Sequence, residues 1–283
     1  MLDKLFNKLS SRRDDKYIEI KNTPKKYVII GASAAGINAG KVLRKLDPNS
    51  NITIISKDNK IYSRCMLHHI ISNHRSVDSI NFVDVDFMDK NNIIWIKNTI
   101  AKSIDTKNKV VNLEDESIKY DKLLIATGAK SFIPPIKNIK EGNNIYSLRD
   151  IEDVFYIKEK IKKSKKVAII GAGLIGIDVL TSLLEINNLE VSLIYPNDYI
   201  LDLQLDEYSA KIYERKFIER GAKLYSSLPV NQIILDDNKN VKGVELGDNS
   251  IVKCDLLIVA TGVRPNTEIL RNTDIEENRG IVI

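Results

Sequence analysis

Two short apolar runs in the chain each end in a turn of small residues and then continue with apolar positions at helical spacing. The first run covers residues 27–30 and leads into the turn at 31–36, and the second covers residues 167–170 and leads into the turn at 171–176. β-Branched apolar runs predict buried strands, and apolar positions three and four residues apart predict helices. The pattern therefore predicts two strand–turn–helix units, offset by 140 residues (31 to 171).

The small residues of the two turns have the spacing of a dinucleotide-binding site. In the first turn, Gly31 allows a tight bend, Ser33 stands where a second glycine is usual, and Gly36 lets the helix approach the strand. The second turn has a glycine at all three positions, namely Gly171, Gly173 and Gly176. Helix N–H groups would then face the phosphates, so the two copies predict two dinucleotide sites.

The strand after each helix is expected to end beside the ribose, about 20 residues beyond the last glycine of the turn. In the first unit this strand covers residues 51–57 and ends in Ser56 and Lys57, where an acidic residue is common. A serine hydroxyl could bond a ribose and a lysine could meet a phosphate, but a plain polar strand end is also compatible. In the second unit the position holds Tyr195, and the absence of basic residues nearby favours NADH over NADPH.

Each unit also contains a later strand that ends in Ala-Thr-Gly. The first is predicted as a buried strand over residues 120–125 that ends at residues 126–128, and the second runs over residues 254–259 to residues 260–262. Small residues at a strand end allow close approach to a ligand. The recurrence of the whole arrangement indicates an internal duplication.

Apolar residues at helical spacing, namely Ile151, Val154, Ile157 and Ile161, also predict a helix that begins at residues 147–150. Either Asp150 or Ser147 could cap its N-terminus, because both side chains carry an oxygen that accepts hydrogen bonds from helix N–H groups.

Residues 62–70 combine several chemically reactive side chains in one short stretch. Cys65 follows Arg64, and a neighbouring cation favours the thiolate, which is the reactive form of cysteine. Packing as an inert thiol is the more common role of a single cysteine, so both interpretations stay open. Because His68 and His69 are adjacent, they point in different directions on any regular element. That is poor metal-ligand geometry, and we expect both to be structural or exposed.

The composition is that of an ordinary globular protein, with 283 residues, 43% hydrophobic and 29% charged. The length suits about two domains, no apolar run approaches the ~20 residues of a membrane span, and we expect no secretory signal. Two cysteines give neither a disulfide framework nor metal-ligand spacing, so a reducing cytoplasm is expected. The net charge is +5, of which residues 1–26 carry +4 (eight Lys/Arg less four Asp/Glu), which argues against a nucleic-acid face on the rest.

The basic leader, residues 1–26, precedes the first strand. Its apolar positions fall at helical spacing with basic residues nearby, namely Leu2, Leu5, Phe6 and Leu9 with Lys4, Lys8, Arg12 and Arg13. One interpretation is an amphipathic helix that contacts a membrane surface or a partner protein. The other is a solvated leader without a packing role.

Four motifs in this order resemble the pyridine nucleotide–disulfide oxidoreductase family of flavoproteins over residues 27–283. They are residues 31–36, 120–129, 171–176 and 260–266. The resemblance implies an α/β fold of two Rossmann-like dinucleotide-binding domains with three-layer ββα architecture. It places an FAD domain at residues 27–148, an inserted NAD(P) domain at 149–262, and a return to the FAD domain at 263–283.

The resemblance further implies that FAD and NAD(P)H bind at the two turns and that a hydride passes from nicotinamide to flavin. Carried over by position, the residues lining FAD would be Gly31, Ser33, Ala34, Ala35, Gly36, Ser56, Lys57, Arg64, Ile100, Ala126, Thr127, Gly128 and Arg149. Those lining NAD(P)H would be Gly171, Gly173, Leu174, Ile175, Gly176, Tyr195 and Gly262. Asp178 stands where relatives usually have a glutamate near the nicotinamide.

Residues 62–67 leave two subfamilies open. They are similar to the Tyr-x-Arg-Pro-x-Leu stretch of rubredoxin reductases and of the flavin domain of nitrite reductases. This similarity implies that Arg64 touches the flavin and that electrons pass to a small redox protein or a small-molecule acceptor. Cys65 also aligns with the single redox cysteine of coenzyme A disulfide reductases and NADH peroxidases. The Cys-x4-Cys pair of dithiol enzymes is absent, which argues against that mechanism.

Members of the family continue beyond the position of Ile283 into a Gly-Asp turn at the flavin and then a dimerisation domain. We expect FAD binding to be less secure without that turn, and the oligomeric state stays open. A nucleotide-binding remnant without enzymatic activity is therefore a further alternative.

Overall fold

The structure, a computed structural model, describes residues 24–283 and alternates helices with strands. The α-helices of these residues are α1 (Ala34–Leu46), α2 (His68–Ile71), α3 (Phe87–Lys90), α4 (Ile151–Ile161), α5 (Leu174–Leu183) and α6 (Glu207–Glu219). The strands of the first half are β1 (Lys26–Ile30), β2 (Asn51–Ile55), β3 (Ile93–Ile96), β4 (Ser103–Asp105), β5 (Val110–Asn112), β6 (Ser117–Lys119), β7 (Lys122–Ile125), β8 (Ala129–Ser131) and β9 (Ile145–Ser147). Those of the second half are β10 (Lys166–Ile170), β11 (Glu190–Ile194), β12 (Lys223–Tyr225), β13 (Val230–Leu235), β14 (Val241–Leu246), β15 (Ile251–Lys253), β16 (Leu256–Val259), β17 (Val263–Pro265), β18 (Glu277–Asn278) and β19 (Gly280–Ile281).

A parallel sheet with the strand order β3-β2-β1-β7 forms the first unit. Successive side chains of a strand point to opposite faces of the sheet. On one face Ile29 of β1 packs with Ile37 of α1, and on the other Val28 packs with Val111 of the antiparallel sheet β4-β5-β6. The three layers are therefore a helix, a parallel sheet and an antiparallel sheet, which confirms the expected ββα architecture.

The second unit repeats these layers around a parallel sheet with the order β12-β11-β10-β16-β9. Ile169 of β10 packs with Val154 of α4 and Val179 of α5. The next residue, Ile170, faces the other way and packs with Val244 of the antiparallel sheet β13-β14-β15. The predicted duplication thus corresponds to two similar three-layer units.

The second unit begins earlier in the chain than the sequence predicts. Strand β9 pairs in parallel with β16 of the second sheet. Ile133, Ile136 and Ile139 pack against the core that contains β13-β14-β15. The predicted boundary between residues 148 and 149 is therefore too late, because the chain enters the second sheet before α4 starts. Of the two candidate caps, Asp150 occupies the N-cap position of α4.

Strand β7 is not the buried strand that the sequence predicts. Its residues alternate between exposed and half-buried, and Leu124 is 39% exposed. Within the described residues β7 lies at the edge of its sheet, whereas its counterpart β16 lies between β10 and β9 and is fully buried. Burial of such an apolar run depends on what pairs with it and covers it, which the run itself does not reveal.

The two glycine turns bring each strand into close contact with the helix that follows it. Gly31 and Gly171 have φ angles of +116° and +105°, a region that residues with a β-carbon rarely adopt. A β-carbon on Gly36 would lie 1.8 Å from the Gly31 carbonyl oxygen, and one on Gly176 would lie 2.0 Å from that of Gly171. The predicted close approach of helix and strand is confirmed in both units.

A short antiparallel ribbon of β8 and β17 joins the two units. Two side-chain hydrogen bonds reinforce it. Thr127 Oγ1 donates to the carbonyl of Asn266 at 2.8 Å, and Thr261 Oγ1 donates to the carbonyl of Phe132 at 2.8 Å. In each bond the threonine of one Ala-Thr-Gly turn holds the segment that follows the other turn. The carboxyl ends of the two central sheets are therefore tied to each other.

The amphipathic pattern predicted for the basic leader lies outside the described residues. Its members are Leu2, Lys4, Leu5, Phe6, Lys8, Leu9, Arg12 and Arg13. Among residues 24–283, no helix combines the length and the apolar content that crossing a membrane requires. Helices α1 and α6 have 13 residues each, against the ~20 residues that a bilayer requires.

We predict that Gly176→Ala destabilises the second unit and that Gly173→Ser does not. The new β-carbon at 176 would overlap the Gly171 carbonyl, and such overpacking costs about 1–3 kcal/mol. A β-carbon at 173 would meet no atom within 4 Å, and serine suits the N-cap position that Gly173 occupies. Thermal unfolding followed by circular dichroism should give a lower melting temperature for Gly176→Ala alone. Equal melting temperatures for the two variants would contradict the close contact.

Candidate functional site

A cavity of about 600 Å³ opens at the carboxyl ends of β1, β2 and β7. Parallel α/β sheets bind their ligands at this edge, and the volume lies within the roughly 300–1,000 Å³ of typical ligand pockets. The predicted residues that line it are Gly31, Ser33, Ser56, Lys57, Arg64, Ile100, Ala126, Thr127, Gly128 and Arg149. The structure thus brings together residues that are far apart in the sequence.

The start of α1 provides the anion-binding part of this cavity. Ser33 is the N-cap residue, its side chain makes no capping hydrogen bond, and the first turn holds no acidic residue. The N–H groups and the positive end of the helix dipole are therefore available to a phosphate. Ala34 and Ala35 are exposed on this turn, and Gly36 is buried against the strand. Ala34, Ala35 and Gly36 do not line the cavity themselves, but their small size shapes the turn beside it. The arrangement fits the pyrophosphate of a dinucleotide.

The Ser56 hydroxyl is hydrogen-bonded within the protein at the wall of the cavity. The side chain is almost fully buried; Oγ donates to the carbonyl of Asp58 at 2.8 Å and accepts from Nε1 of Trp95 at 2.9 Å. The proton of the hydroxyl and one of its two lone pairs are therefore used within the protein. A ribose hydroxyl could reach Ser56 only as a donor to the remaining lone pair, so the ribose contact stays a prediction.

Lys57 and Arg64 point into the cavity but are held by carboxylates. Lys57 pairs with Asp150, and Arg64 Nη2 lies 2.8 Å from Asp58 and 3.1 Å from Asp150. The Arg64 guanidinium also lies over the ring of Tyr62, 4.9 Å from its centroid. Lys57 thus has a carboxylate partner at the place where the sequence suggests a phosphate contact.

The charges around Asp150 control its ionisation. Burial by itself would raise the pKa of this carboxyl, but hydrogen bonds and charge from Lys57 and Arg64 outweigh burial and lower the pKa. The sequence predicts Asp150 only as a possible helix cap and assigns no role to Asp58. No local pattern marks the pair, because Arg64 and Asp150 are 86 residues apart.

The first Ala-Thr-Gly turn is held by residues that are distant from it along the chain. Asn266 Nδ2 donates to the Thr127 carbonyl at 2.9 Å, and its backbone N–H donates to the Gly128 carbonyl at 2.9 Å. Arg149 Nε donates to the Ala129 carbonyl at 2.9 Å. Asn266 also lines the cavity. It belongs to one of the four motifs, but the sequence predicts no specific role for it.

The turn at the carboxyl end of β10 is the place where the glycine spacing predicts a second nucleotide crevice. Gly173 is the N-cap residue of α5, and the first turn of that helix contains no acidic residue. A β-carbon on Gly173 or Gly262 would meet nothing within 4 Å. Leu174 is exposed and Ile175 is half-buried. The backbone of this turn is therefore open to a second nucleotide, as the glycine spacing predicts.

Tyr195 faces the protein core rather than this crevice. It is only 2% exposed, and its hydroxyl donates to Glu214 Oε1 at 2.9 Å, the same oxygen that accepts from the Ile200 N–H at 3.1 Å. Burial, followed by the hydrogen bond to Glu214, raises the pKa of Tyr195. Its side chain therefore does not line the nucleotide site. The reason is its contact with α6, which the strand pattern does not show.

Asp178 lies on α5 opposite the first unit. Its Oδ2 is 3.6 Å from Nδ1 of His68, whose ring is 4.0 Å from that of His69. Burial is the main influence on both partners: it lowers the pKa of His68 and raises the pKa of Asp178. The histidines predicted as structural or exposed therefore sit where α2 packs against α5.

Cys65 is an exposed free thiol in the short 3₁₀ turn Arg64–Met66. Arg64 lines the cavity at the ends of β1, β2 and β7, but Cys65 does not. Cys254 is buried, and burial raises the pKa of its thiol to about 12, which keeps it neutral. Any redox role for a cysteine of this chain therefore concerns Cys65.

Known proteins agree with this architecture. Residues 25–283 match the family described as pyridine nucleotide-disulphide oxidoreductase. An NADH-rubredoxin oxidoreductase from Clostridium acetobutylicum is 34% identical over 261 residues, which are 91% of this chain and 63% of that protein. A nitrite reductase [NAD(P)H] from Bacillus subtilis is 29% identical over 262 residues, which are 92% of this chain and 32% of that protein.

A solved ferredoxin reductase from Rhodopseudomonas palustris has the same fold, with a TM-score of 0.84 at 24% identity. The match covers 92% of this chain and 64% of that one. The chain therefore spans about one third to two thirds of the length of these proteins. The match confirms the predicted fold class, α/β with two dinucleotide-binding units.

We predict that Tyr195→Phe lowers stability without weakening NADH binding. The ring keeps its packing, but Glu214 loses a buried hydrogen bond, which costs about 1–3 kcal/mol. Tyr208→Phe is a matched control, because Tyr208 is exposed on α6. Thermal unfolding and a fluorescence titration with NADH measure the two properties separately. Weaker NADH binding at an unchanged melting temperature would instead support a ribose contact.

Proposed function

Because this chain belongs to the pyridine nucleotide-disulphide oxidoreductase family, we propose that it oxidises NAD(P)H by hydride transfer to FAD. Family membership confirms the predicted class, that of NAD(P)H-dependent flavoprotein oxidoreductases. The activity of the chain itself is our proposal, since it spans 63% of the rubredoxin-linked relative and less of others. The observation that carries it is the pair of glycine turns, each open at the carboxyl end of its own parallel sheet.

The first unit holds the flavin nucleotide in this proposal. The turn at Gly31 and the N-terminus of α1 bind its pyrophosphate, and the backbone at Thr127 and Gly128 lines the rest of the cavity. Arg149 contributes positive charge to the same walls, whereas Asp58 and Asp150 balance the charge of Arg64. Bound FAD supplies the capacity to accept two electrons as a hydride and to release them to a different acceptor.

The second unit holds the nicotinamide nucleotide. Gly171, Gly173 and Gly176 let its pyrophosphate reach the N-terminus of α5, with Leu174, Ile175 and Gly262 along the crevice. Asp178, on the same helix, is proposed to lie at the nicotinamide end. The ribose end of β11 favours NADH, because Asp198 follows it and Lys211, the nearby cation, already pairs with Glu214 at 2.9 Å. A 2′-phosphate would meet the Asp198 carboxylate there, and Lys211 is already paired with Glu214.

The electron acceptor is proposed to be a small redox protein, with a small molecule as the alternative. A relative named NADH-rubredoxin oxidoreductase supports the protein acceptor. Neither nucleic acid nor a membrane is part of this proposal, and it leaves oligomerisation open. Two free cysteines, Cys65 and Cys254, fit a reducing compartment such as the cytoplasm.

The decisive experiment is to purify the full chain, add FAD and NADH without oxygen, and supply a dye acceptor. We expect flavin absorbance that stays with the protein, bleaches with NADH and returns with the dye. Gly173→Asp should raise the KM for NADH at least tenfold, because its carboxylate would lie where the pyrophosphate binds. Gly173→Asn is the matched control, since asparagine has the same size, caps a helix equally well and carries no charge. A protein that binds NADH but never turns over would instead be the nucleotide-binding remnant.

A second candidate function is the reduction of a small disulfide or peroxide at Cys65. The exposure of this free thiol favours it, because an exposed cysteine is accessible to a small substrate. We predict that Cys65→Ser keeps the rate of dye reduction under either function, because dye reduction needs no thiol. The same variant should lose peroxide and disulfide reduction only if Cys65 is redox-active. Peroxide and disulfide reduction at the wild-type rate in Cys65→Ser would reject this second function.

A further inference from the structure

Four charged residues form one ion cluster on the wall of the first cavity: Lys57, Asp58, Arg64 and Asp150. Two are cations and two are carboxylates, so the cluster is neutral when all four are ionised. Lys57, Asp58 and Arg64 belong to the first unit, whereas Asp150 stands at the N-cap of α4 in the second unit. The cluster therefore joins the two units directly beside the cavity.

Arg64 is the most restrained member of the ion cluster. Its Nη2 lies 2.8 Å from Asp58 and 3.1 Å from Asp150, and its Nε lies 3.3 Å from Asp150. The face of Tyr62 packs beneath it, and the Tyr62 hydroxyl lies 3.3 Å from Asp58 and accepts from the Ile151 N–H. Two carboxylates and an aromatic ring thus fix the direction of one guanidinium.

Because three members of the ion cluster are largely shielded from water, any imbalance in its charge affects the cavity. The side chains of Arg64, Asp58 and Asp150 are only 17%, 13% and 22% exposed. At such positions water screens charge weakly, so removing one member leaves a net charge that the cavity experiences. Hydride transfer converts NADH and FAD to NAD⁺ and FADH⁻, so the flavin gains one negative charge. Any net charge on the cavity wall will therefore favour one redox form of FAD over the other.

We propose that Asp58 and Asp150 are positioning residues that hold Arg64 and Lys57 on the cavity wall and cancel their charge, and so set the relative affinity of the site for oxidised and reduced FAD. This role rests on the proposed function, because it concerns FAD bound in the first unit. The role goes beyond the proposed function, because it concerns two carboxylates, Asp58 and Asp150, that the family resemblance does not place among the FAD-lining residues.

The test compares midpoint potentials of bound FAD in the full chain, measured by dye equilibration. Asp150→Asn keeps a good N-cap residue but removes the negative charge. We expect about tenfold tighter binding of reduced relative to oxidised FAD, which is a positive shift of about 30 mV for a two-electron couple. Asp206→Asn is the matched control: Asp206 is also an N-cap residue, it accepts from the Ser209 N–H at 2.7 Å, and it does not line the cavity.

Opposite charge changes separate this role from a purely structural one. Lys57→Gln should shift the potential in the negative direction, and the double variant Lys57→Gln with Asp150→Asn should return close to the wild-type value. Asp58→Asn should shift the midpoint potential in the same direction as Asp150→Asn. Because Asp58 caps no α-helix, this variant replaces Asp150→Asn in the test if Asp150→Asn folds poorly. General damage to the fold would not change sign with the charge removed.

Two results would overturn the proposal in different ways. If wild-type protein binds FAD and the charge variants keep its potential, or shift it in one direction regardless of charge, the ion cluster has no such role. If wild-type protein takes up no FAD at all, the proposed function itself fails, and this role with it. Wild-type potential in Asp206→Asn together with opposite shifts in the cavity variants supports the proposal.

Discussion

The whole arrangement depends on the absence of β-carbons at the points where strand, turn and helix cross. A β-carbon on Gly31 would lie 2.1 Å from the Ala126 carbonyl, and one on Gly171 would lie 2.4 Å from the Ala260 carbonyl. These contacts let the backbone of each turn reach the Ala-Thr-Gly end of a neighbouring strand. The helix that follows then begins at the carboxyl edge of the sheet, where its N–H groups can meet an anion. Steric space therefore decides where each nucleotide site lies.

The second constraint is the connection between the two units. Each unit could form its own turn alone, but hydride transfer requires two nucleotides held in a defined relation. The crossing hydrogen bonds of Thr127 and Thr261 tie the carboxyl edges together through backbone carbonyls far along the chain. Asn266 extends this tie to the wall of the first cavity. Burial of α2 against α5 adds a second point of contact, at which His68 meets Asp178.

Charge inside the first cavity follows from the same connection. Asp150 is the N-cap residue of α4 in the second unit, yet its carboxylate pairs with Lys57 and Arg64 of the first unit. A partly buried cluster of this kind is stable only while its cations and carboxylates balance. The electrostatic character of the first cavity is therefore decided by both units together.

The sequence alone determined the two strand–turn–helix units and their duplication, because these depend on local periodicity and on glycine spacing. The fold class and ten of the residues that line the first cavity followed from the family resemblance. The sequence did not determine which way individual side chains face. Ser56 is occupied by Trp95, Tyr195 by Glu214, and β7 is left at a sheet edge, because each outcome depends on a partner that is distant along the chain. The ion cluster around Arg64 is of the same kind. Local pattern specifies where the backbone goes, whereas contacts between distant segments specify which polar groups remain free for chemistry.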